Sequence, residues 1–303
     1  MLEREFEVSS DMRSDQAEGL RRLLGRSSGR VIALESGGRG VGKTSVAINL
    51  AAALASRGLQ VLLMDANSGF ANVSAQLGLR PRFDLRDTLT GKCSLDDTLL
   101  HGPAGVMVLP AFAALRDGQS VRERERFDAT MTQLSPRFDY ILIDTCTEGH
   151  AVNLLREITD ESIVVSAGGA SAITATYALI KRMHTQQPQQ RLHVLLNRMA
   201  GERSAGVIFD NLRRVARVHL QATLESLGHL PGDAQLQRAA EKNQSVVEQF
   251  PAAASVAGLH KIAASVVAWS QPAAARAPAP ARAPVQMSRP PVFSSYAISP
   301  LGA

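Results

Sequence analysis

Short, nearly uninterrupted apolar runs alternate along this chain with longer segments whose apolar residues recur every third or fourth position. The runs at 30–35, 60–65, 105–110, 138–144, 161–167 and 191–197 are brief and rich in Val, Ile and Leu, and read as buried strands. The periodic segments at 43–57, 120–134, 150–157, 171–186 and 204–225 read as helices. Apolar strands alternating with helices predict an α/β fold, a mostly parallel sheet with helices on both faces. A charged leader, residues 1–29, precedes the first strand and contains one helical segment at 15–24. A last helix is predicted at 252–269, after Pro251. From residue 271 the composition turns to Pro and Ala with three arginines and no acidic residue, so this tail is expected to be disordered. The chain has no internal repeat.

Length and composition narrow the picture without changing it. At 303 residues, one large domain over 30–270 with a leader and a tail (271–303) fits better than two equal domains. The chain is 45% hydrophobic, ample for a core. Two cysteines, Cys93 and Cys146, are too few for a disulfide framework, which points to a reducing cytoplasm. Glu3, Arg4 and Glu5 interrupt any apolar run at the start, so no signal peptide is expected. Nor does any stretch reach the roughly 18 apolar residues of a membrane span. The net charge of +5 permits contact with an acidic surface but does not argue for one.

The chemistry is concentrated at residues 31–49, VIALESGGRGVGKTSVAIN. Gly37, four residues, then Gly42-Lys43-Thr44 is the spacing of a phosphate-binding loop between a strand and a helix. Backbone N–H groups of such a turn point into one concavity, and the following helix presents its positive end there. The cradle would comprise Gly37, Gly38, Arg39, Gly40, Val41, Gly42, Lys43, Thr44 and Ser45, with ATP and Mg²⁺ as ligands. Lys43 would reach the outer phosphates, and the Thr44 hydroxyl would hold the cation. A dinucleotide fingerprint is excluded, because Gly38-Arg39-Gly40 leads to Lys43 where G-x-G-x-x-G needs a third glycine.

Asp144 ends one apolar strand and Asp65 another. Ligands gather at the carboxyl ends of parallel strands, so both carboxylates should face the phosphates and the Mg²⁺. A solvated strand-end aspartate is the plainer alternative. Asn197 ends a third strand; its amide can pair with a purine edge or simply form a turn. Cys93, Cys146 and His150 lack metal-ligand spacing, so no metal beyond Mg²⁺ is expected. The run Arg122 to Arg126 reads as a solvated helix face. So does the basic cluster Arg213, Arg214 and Arg217, and nucleic acid is not an expected partner.

These features together resemble the MinD/ParA group of P-loop ATPases, through the loop, Asp65 and Ile143-Asp144-Thr145. Within that group the chain looks like the FlhG family of flagellar-number regulators, also called FleN or YlxH. The segments carrying this are 65–79 (DANSGFANVSAQLGL), 102–110 (GPAGVMVLP), 170–181 (ASAITATYALIK) and 228–251 (GHLPGDAQLQRAAEKNQSVVEQFP). The leader adds DQAEGLR at 15–21, which matches the DQAxxLR motif of that family. The resemblance implies ATP-dependent dimers at the cytoplasmic membrane that act on flagellar regulators. It also implies stimulation of an FlhF-type GTPase through the N-terminal helix, with Gln16 as the active residue. A glutamine delivered in trans could help orient an attacking water. A docking helix with Leu20, Leu23 and Leu24 on one edge is the alternative. For the last helix, with Val256, Leu259, Ile262, Val266 and Trp269 at helical spacing, the family suggests peripheral membrane contact. Trp269 and Lys261 suit an interface, yet the polar face is mostly Ala and Ser, so packing onto the domain stands equally.

Two positions depart from the family pattern. The signature lysine of KGGxGKT falls on Gly38, and the next glycine is Arg39. In the catalytic set of Lys43, Asp65 and the aspartate two residues on, the last is degenerate: it is Asn67. An amide orients water but cannot take up charge, and losing one positioned catalytic group commonly costs about 10²–10⁴ in rate. The expected protein therefore binds ATP·Mg²⁺ and hydrolyses it slowly or not at all. Two rivals remain: an active partitioning ATPase placing cargo on membrane or DNA, and a nucleotide-free scaffold.

Overall fold

The computed structural model describes residues 29–67, 69–115, 121–146 and 150–269. The leader with Gln16 and the Pro/Ala tail lie outside them. In chain order the first half comprises β1 (Arg30–Glu35), α1 (Lys43–Ala55), β2 (Val61–Asp65), α2 (Val73–Gln76) and α3 (Leu85–Leu89). Then come β3 (Leu100–His101), β4 (Met107–Pro110), α4 (Phe112–Leu115), α5 (Val121–Leu134) and β5 (Tyr140–Asp144). The second half holds α6 (His150–Ile158), β6 (Glu161–Ala167), α7 (Ala170–Gln186), β7 (Arg191–Met199) and α8 (Glu202–Leu220). It closes with β8 (Leu224–Pro231), α9 (Ala234–Glu241), α10 (Val246–Gln249) and α11 (Ala254–Ala268).

The strands form one sheet in the order β3-β4-β2-β5-β1-β6-β7-β8. All neighbours are parallel except β3 and β4. The central strands are apolar throughout because both faces are covered. Ile32 and Leu34 of β1 join the core under α1 and α11, whereas Val31 joins the cluster that includes Phe127 and Leu134 of α5. Beyond β1, the α7–α8 pair covers Val164 and Val194. Helices therefore lie on both faces. Parallel register brings the ends of β2 and β5 level, with Asp65 opposite Asp144. Glu35, which ends β1, is buried and paired with Arg156 of α6 at 2.7 Å.

The sequence expectation differs most at the far edge. The helix expected over 204–225 stops at Leu220, capped by Gln221 in a left-handed conformation, and β8 follows at Leu224. LESLGHLP hides its strand character because β8 is the sheet's edge, its polar residues face solvent and Gly228 interrupts it at φ +95°. Two-residue β3 and the short helices α2, α3, α4, α9 and α10 were not expected either. Each is too brief for periodicity to register.

Among the described residues, no helix is long and apolar enough to cross a membrane. The last helix resolves toward packing. Val256, Leu259, Ile262 and Val266 of α11 are all buried against the core shared with α1. Trp269, just past its end, stacks on His193 with ring centroids 3.8 Å apart, and its carbonyl accepts from Arg30 at 2.9 Å.

Candidate functional site

The turn between β1 and α1 is built on two left-handed glycines, Gly40 (φ +76°) and Gly42 (φ +89°), conformations that other residues adopt at a cost. Gly42 is also crowded: a Cβ there would lie 2.4 Å from Asn197 Nδ2. Gly37 is a glycine for a different reason. Its Cβ would overlap the backbone of α7 at Ala175, so it serves helix approach and does not line the cavity. Gly38, by contrast, has room for a side chain, with Ala175 Cβ 3.9 Å away as its nearest neighbour.

Residues 38–45 line one wall of an open cavity of about 850 Å³. Asn67, Gly69, Phe70 and Gln76 form a second side, and Asn197, Arg198 and the 231–240 segment complete it. Arg39 is exposed on the rim, and Phe70 is fully exposed beside it. At the floor, three donors converge on the buried Asp144 carboxylate. Lys43 Nζ donates to Oδ1 and to the Thr145 carbonyl. Thr44 Oγ1 donates to Oδ2 at 2.7 Å. Asn67 Nδ2 reaches Thr44 Oγ1 at 3.0 Å and Asp144 Oδ2 at 3.1 Å. The Asn67 carbonyl oxygen accepts from Gly69 N at 3.0 Å, which fixes the amide's orientation.

Asp65 departs from the expectation that both carboxylates face the phosphates. Its Oδ2 accepts from the backbone N–H and the hydroxyl of Ser74, each at 2.9 Å, at the start of α2. Like Asp144, Asp65 is buried and does not line the cavity, and its Oδ1 has no hydrogen-bond partner among the described residues. Burial pushes its pKa up; the Ser74 bonds oppose this, and the nearby Asp144 charge adds to it. Asp65 thus anchors the start of α2 at the end of β2.

Asn197, for which a purine contact or a turn was expected, lines the cavity and also braces the loop. Its Nδ2 donates to the Val41 carbonyl at 2.8 Å, and its Oδ1 accepts from Arg198 N at 3.0 Å. Arg198 was missed by sequence reasoning. It adopts φ +57° and donates from Nη1 to the Gly40 carbonyl at 3.0 Å. No motif marks an arginine after a strand-end asparagine, and a left-handed non-glycine residue leaves no trace in composition.

The other candidates stand apart from this site. Arg213 and Arg214 lie on the exposed face of α8, bonded to Asp210 and Asn211. Arg124 of the charged run pairs with Asp128 and Glu157. Among the described residues, no cluster of His, Cys, Asp and Glu could hold a metal. A cation here would depend on Thr44 and Asp144 acting with ligand oxygens, as a magnesium nucleotide allows. The donor set suits one: a carboxylate and a hydroxyl beside a glycine-built anion cradle.

Comparison with known proteins converges on one group. The CobQ/CobB/MinD/ParA nucleotide binding domain matches residues 32–246. The antiactivator FleN of Pseudomonas aeruginosa is 33% identical over 247 residues, covering 80% of this chain and 88% of that protein. The flagellum site-determining protein YlxH of Helicobacter pylori is 25% identical over 213 residues, 69% of this chain and 72% of that one. Among solved structures, the septum site-determining protein MinD of Pyrococcus horikoshii, complexed with Mg-ADP, superposes with a TM-score of 0.62 at 23% identity. It covers 78% of this chain and 95% of its own.

Proposed function

This chain belongs to the CobQ/CobB/MinD/ParA nucleotide-binding family, and from that premise we propose that it is an ATP·Mg²⁺-holding switch regulating flagellar number and placement, with slow or absent hydrolysis. The observation that carries the reading is the make-up of the cavity floor. Lys43 and Thr44 line the cavity and bond to the buried Asp144 beneath them, a set that would hold a triphosphate and its cation, while the adjoining cavity-side group is the Asn67 amide. Bound Mg²⁺ would offset phosphate charge, held by Thr44 and Asp144. An amide in that place can orient a water but cannot accept its proton. Similarity to FleN and YlxH supports the flagellar setting. In this reading the ATP-bound form pairs with a second copy across the cavity face, where Phe70 and Arg39 are exposed.

The turnover assignment has a direct test. Wild-type protein should bind ATP by calorimetry and release phosphate very slowly. The double variant Gly38→Lys/Asn67→Asp should release it at least about 10-fold faster, given the 10²–10⁴ typical of one positioned group. Gly38 has space for the new side chain, its nearest neighbour being Ala175 Cβ at 3.9 Å. No gain in a double variant that still binds ATP would overturn the assignment.

The same reading gives the leader a role on an FlhF-type GTPase, through Gln16. Removing residues 1–28 should abolish stimulation of such a GTPase while leaving ATP affinity intact. The cut falls before Gly29, whose N–H is bonded to the Ser135 carbonyl at the foot of β1. Undiminished stimulation would remove Gln16 from that role.

A further inference from the structure

Asn197 and Arg198 sit at a break in the sheet. The β7–β8 register is irregular between Leu196 and Met199, so these two residues are released from regular pairing with β8, while Asn197 still pairs with Ala167 of β6. Both side chains turn to the phosphate loop, and each takes one of its consecutive carbonyls: Val41 by Asn197, Gly40 by Arg198. Both bonds go to loop carbonyls and leave the loop's N–H groups unengaged by these two side chains. A trans peptide holds its C=O and N–H in opposite directions. Drawing the Gly40 carbonyl toward β7 therefore turns the Val41 N–H away from β7, toward the start of α1. Drawing in the Val41 carbonyl does the same for the Gly42 N–H.

The loop's own conformation points the same way. Gly40 and Gly42 are left-handed, and Val41 between them is not. Alternation of this kind curls successive N–H groups into an anion-binding nest. Arg198 is itself left-handed, a state that a non-glycine residue keeps only when its surroundings hold it. Here the holding contacts are the Asn197 side-chain Oδ1 accepting from its N–H and the Gly40 backbone carbonyl accepting from its guanidinium.

We propose that Asn197 and Arg198 are positioning residues that aim the Val41 and Gly42 amides at bound phosphates by gripping the loop's carbonyls from outside. The proposal rests on the nucleotide reading above. It makes the ladder break at the end of β7 part of the phosphate site, and it gives Arg198 a task distinct from contributing charge.

The test is ATP·Mg²⁺ calorimetry on the full chain, wild type against Arg198→Gly, at 0.1 M and 0.5 M salt. Glycine keeps the left-handed backbone without strain and removes the whole side chain, the guanidinium with it. Affinity is expected to fall about 10- to 100-fold, the loss of one to two well-aimed charge-assisted bonds. The fold-loss should be equal at both salts, because a brace acts through geometry. A diffuse positive charge would be screened as the Debye length shrinks. In the ATP complex, the Val41 and Gly42 amides should exchange hydrogen faster in the variant. Arg198→Asn, which also tolerates the left-handed state, replaces the glycine variant should that one fail to fold. Unchanged affinity in a variant whose parent binds ATP overturns the brace alone, as does a defect that disappears at 0.5 M salt. A wild type that binds no nucleotide overturns both the brace and the reading beneath it.

Discussion

Gly37→Ala is expected to lower the melting temperature by about 6–12 °C, although it adds only one methyl group. The added Cβ would lie 2.1 Å from the Ala175 carbonyl oxygen, 2.2 Å from its carbon and 2.6 Å from Thr176 N. All three are backbone atoms of α7, so no side-chain rotation relieves the overlap, and the helix must back away. α7 is packed against β6 and α8 through Leu179, Ile180 and Met183, all buried. Overpacking of a rigid interior costs about 1–3 kcal/mol, and this backbone clash belongs at the upper end. In a domain of this size each kcal/mol moves the midpoint by about 2–4 °C. Gly38→Ala is the internal control, since its methyl would meet only Ala175 Cβ at 3.9 Å. Scanning calorimetry of the pair measures the difference, and equal midpoints would mean that α7 yields without cost.

Asp144→Ala should be still more damaging, because it takes a shared acceptor from three donors at once and leaves the Lys43 charge without its counter-ion. Lys43 Nζ, Thr44 Oγ1 and Asn67 Nδ2 all converge on this carboxylate, and Lys43 is only 7% exposed. Removing one partner of a buried ion pair costs about 3–5 kcal/mol, chiefly because the other charge is left uncompensated. Nucleotide binding should be lost as well. Stability and function separate in the double variant Lys43→Met/Asp144→Leu, where apolar side chains of similar size replace both charges. That protein should regain most of the wild-type denaturant midpoint and still bind no ATP. A single Asp144→Ala variant as stable as wild type would contradict the network drawn here.

Much of this was legible in the chain because the relevant constraints are local. The phosphate loop is a spacing of glycines before a helix, and the central strands are continuous apolar runs. Both can be read without knowing what lies across the sheet. The exceptions are relations between distant segments. Gly37 looked like a phosphate-cradle residue, but its neighbour is Ala175, brought against it by the crossover from β6. Asp65 looked like a cavity carboxylate until Ser74, nine residues on, claimed one oxygen. β8 escaped because an edge strand with a left-handed glycine has neither a helix's period nor a clean alternation. Asn197 is marked in the sequence only as a strand-end residue, while its partner, the Val41 carbonyl, lies 156 positions away. Arg198 had no local signal at all.

The burial of α11 carries a consequence for how this protein could attach to anything. Its apolar side chains Val256, Leu259, Ile262 and Val266 lie in the same core as α1, the helix that begins with Lys43 and Thr44. Burial of each stabilises the fold by about 1.5–3 kcal/mol, so lifting the helix away would cost on the order of 6–12 kcal/mol. That is comparable with the whole stability of an ordinary domain. Anchorage through this helix would therefore compete with the rigidity of the loop that holds a nucleotide. By reciprocity, each would weaken the other by the same factor. A cell using both at once would have to recruit the protein through some other surface.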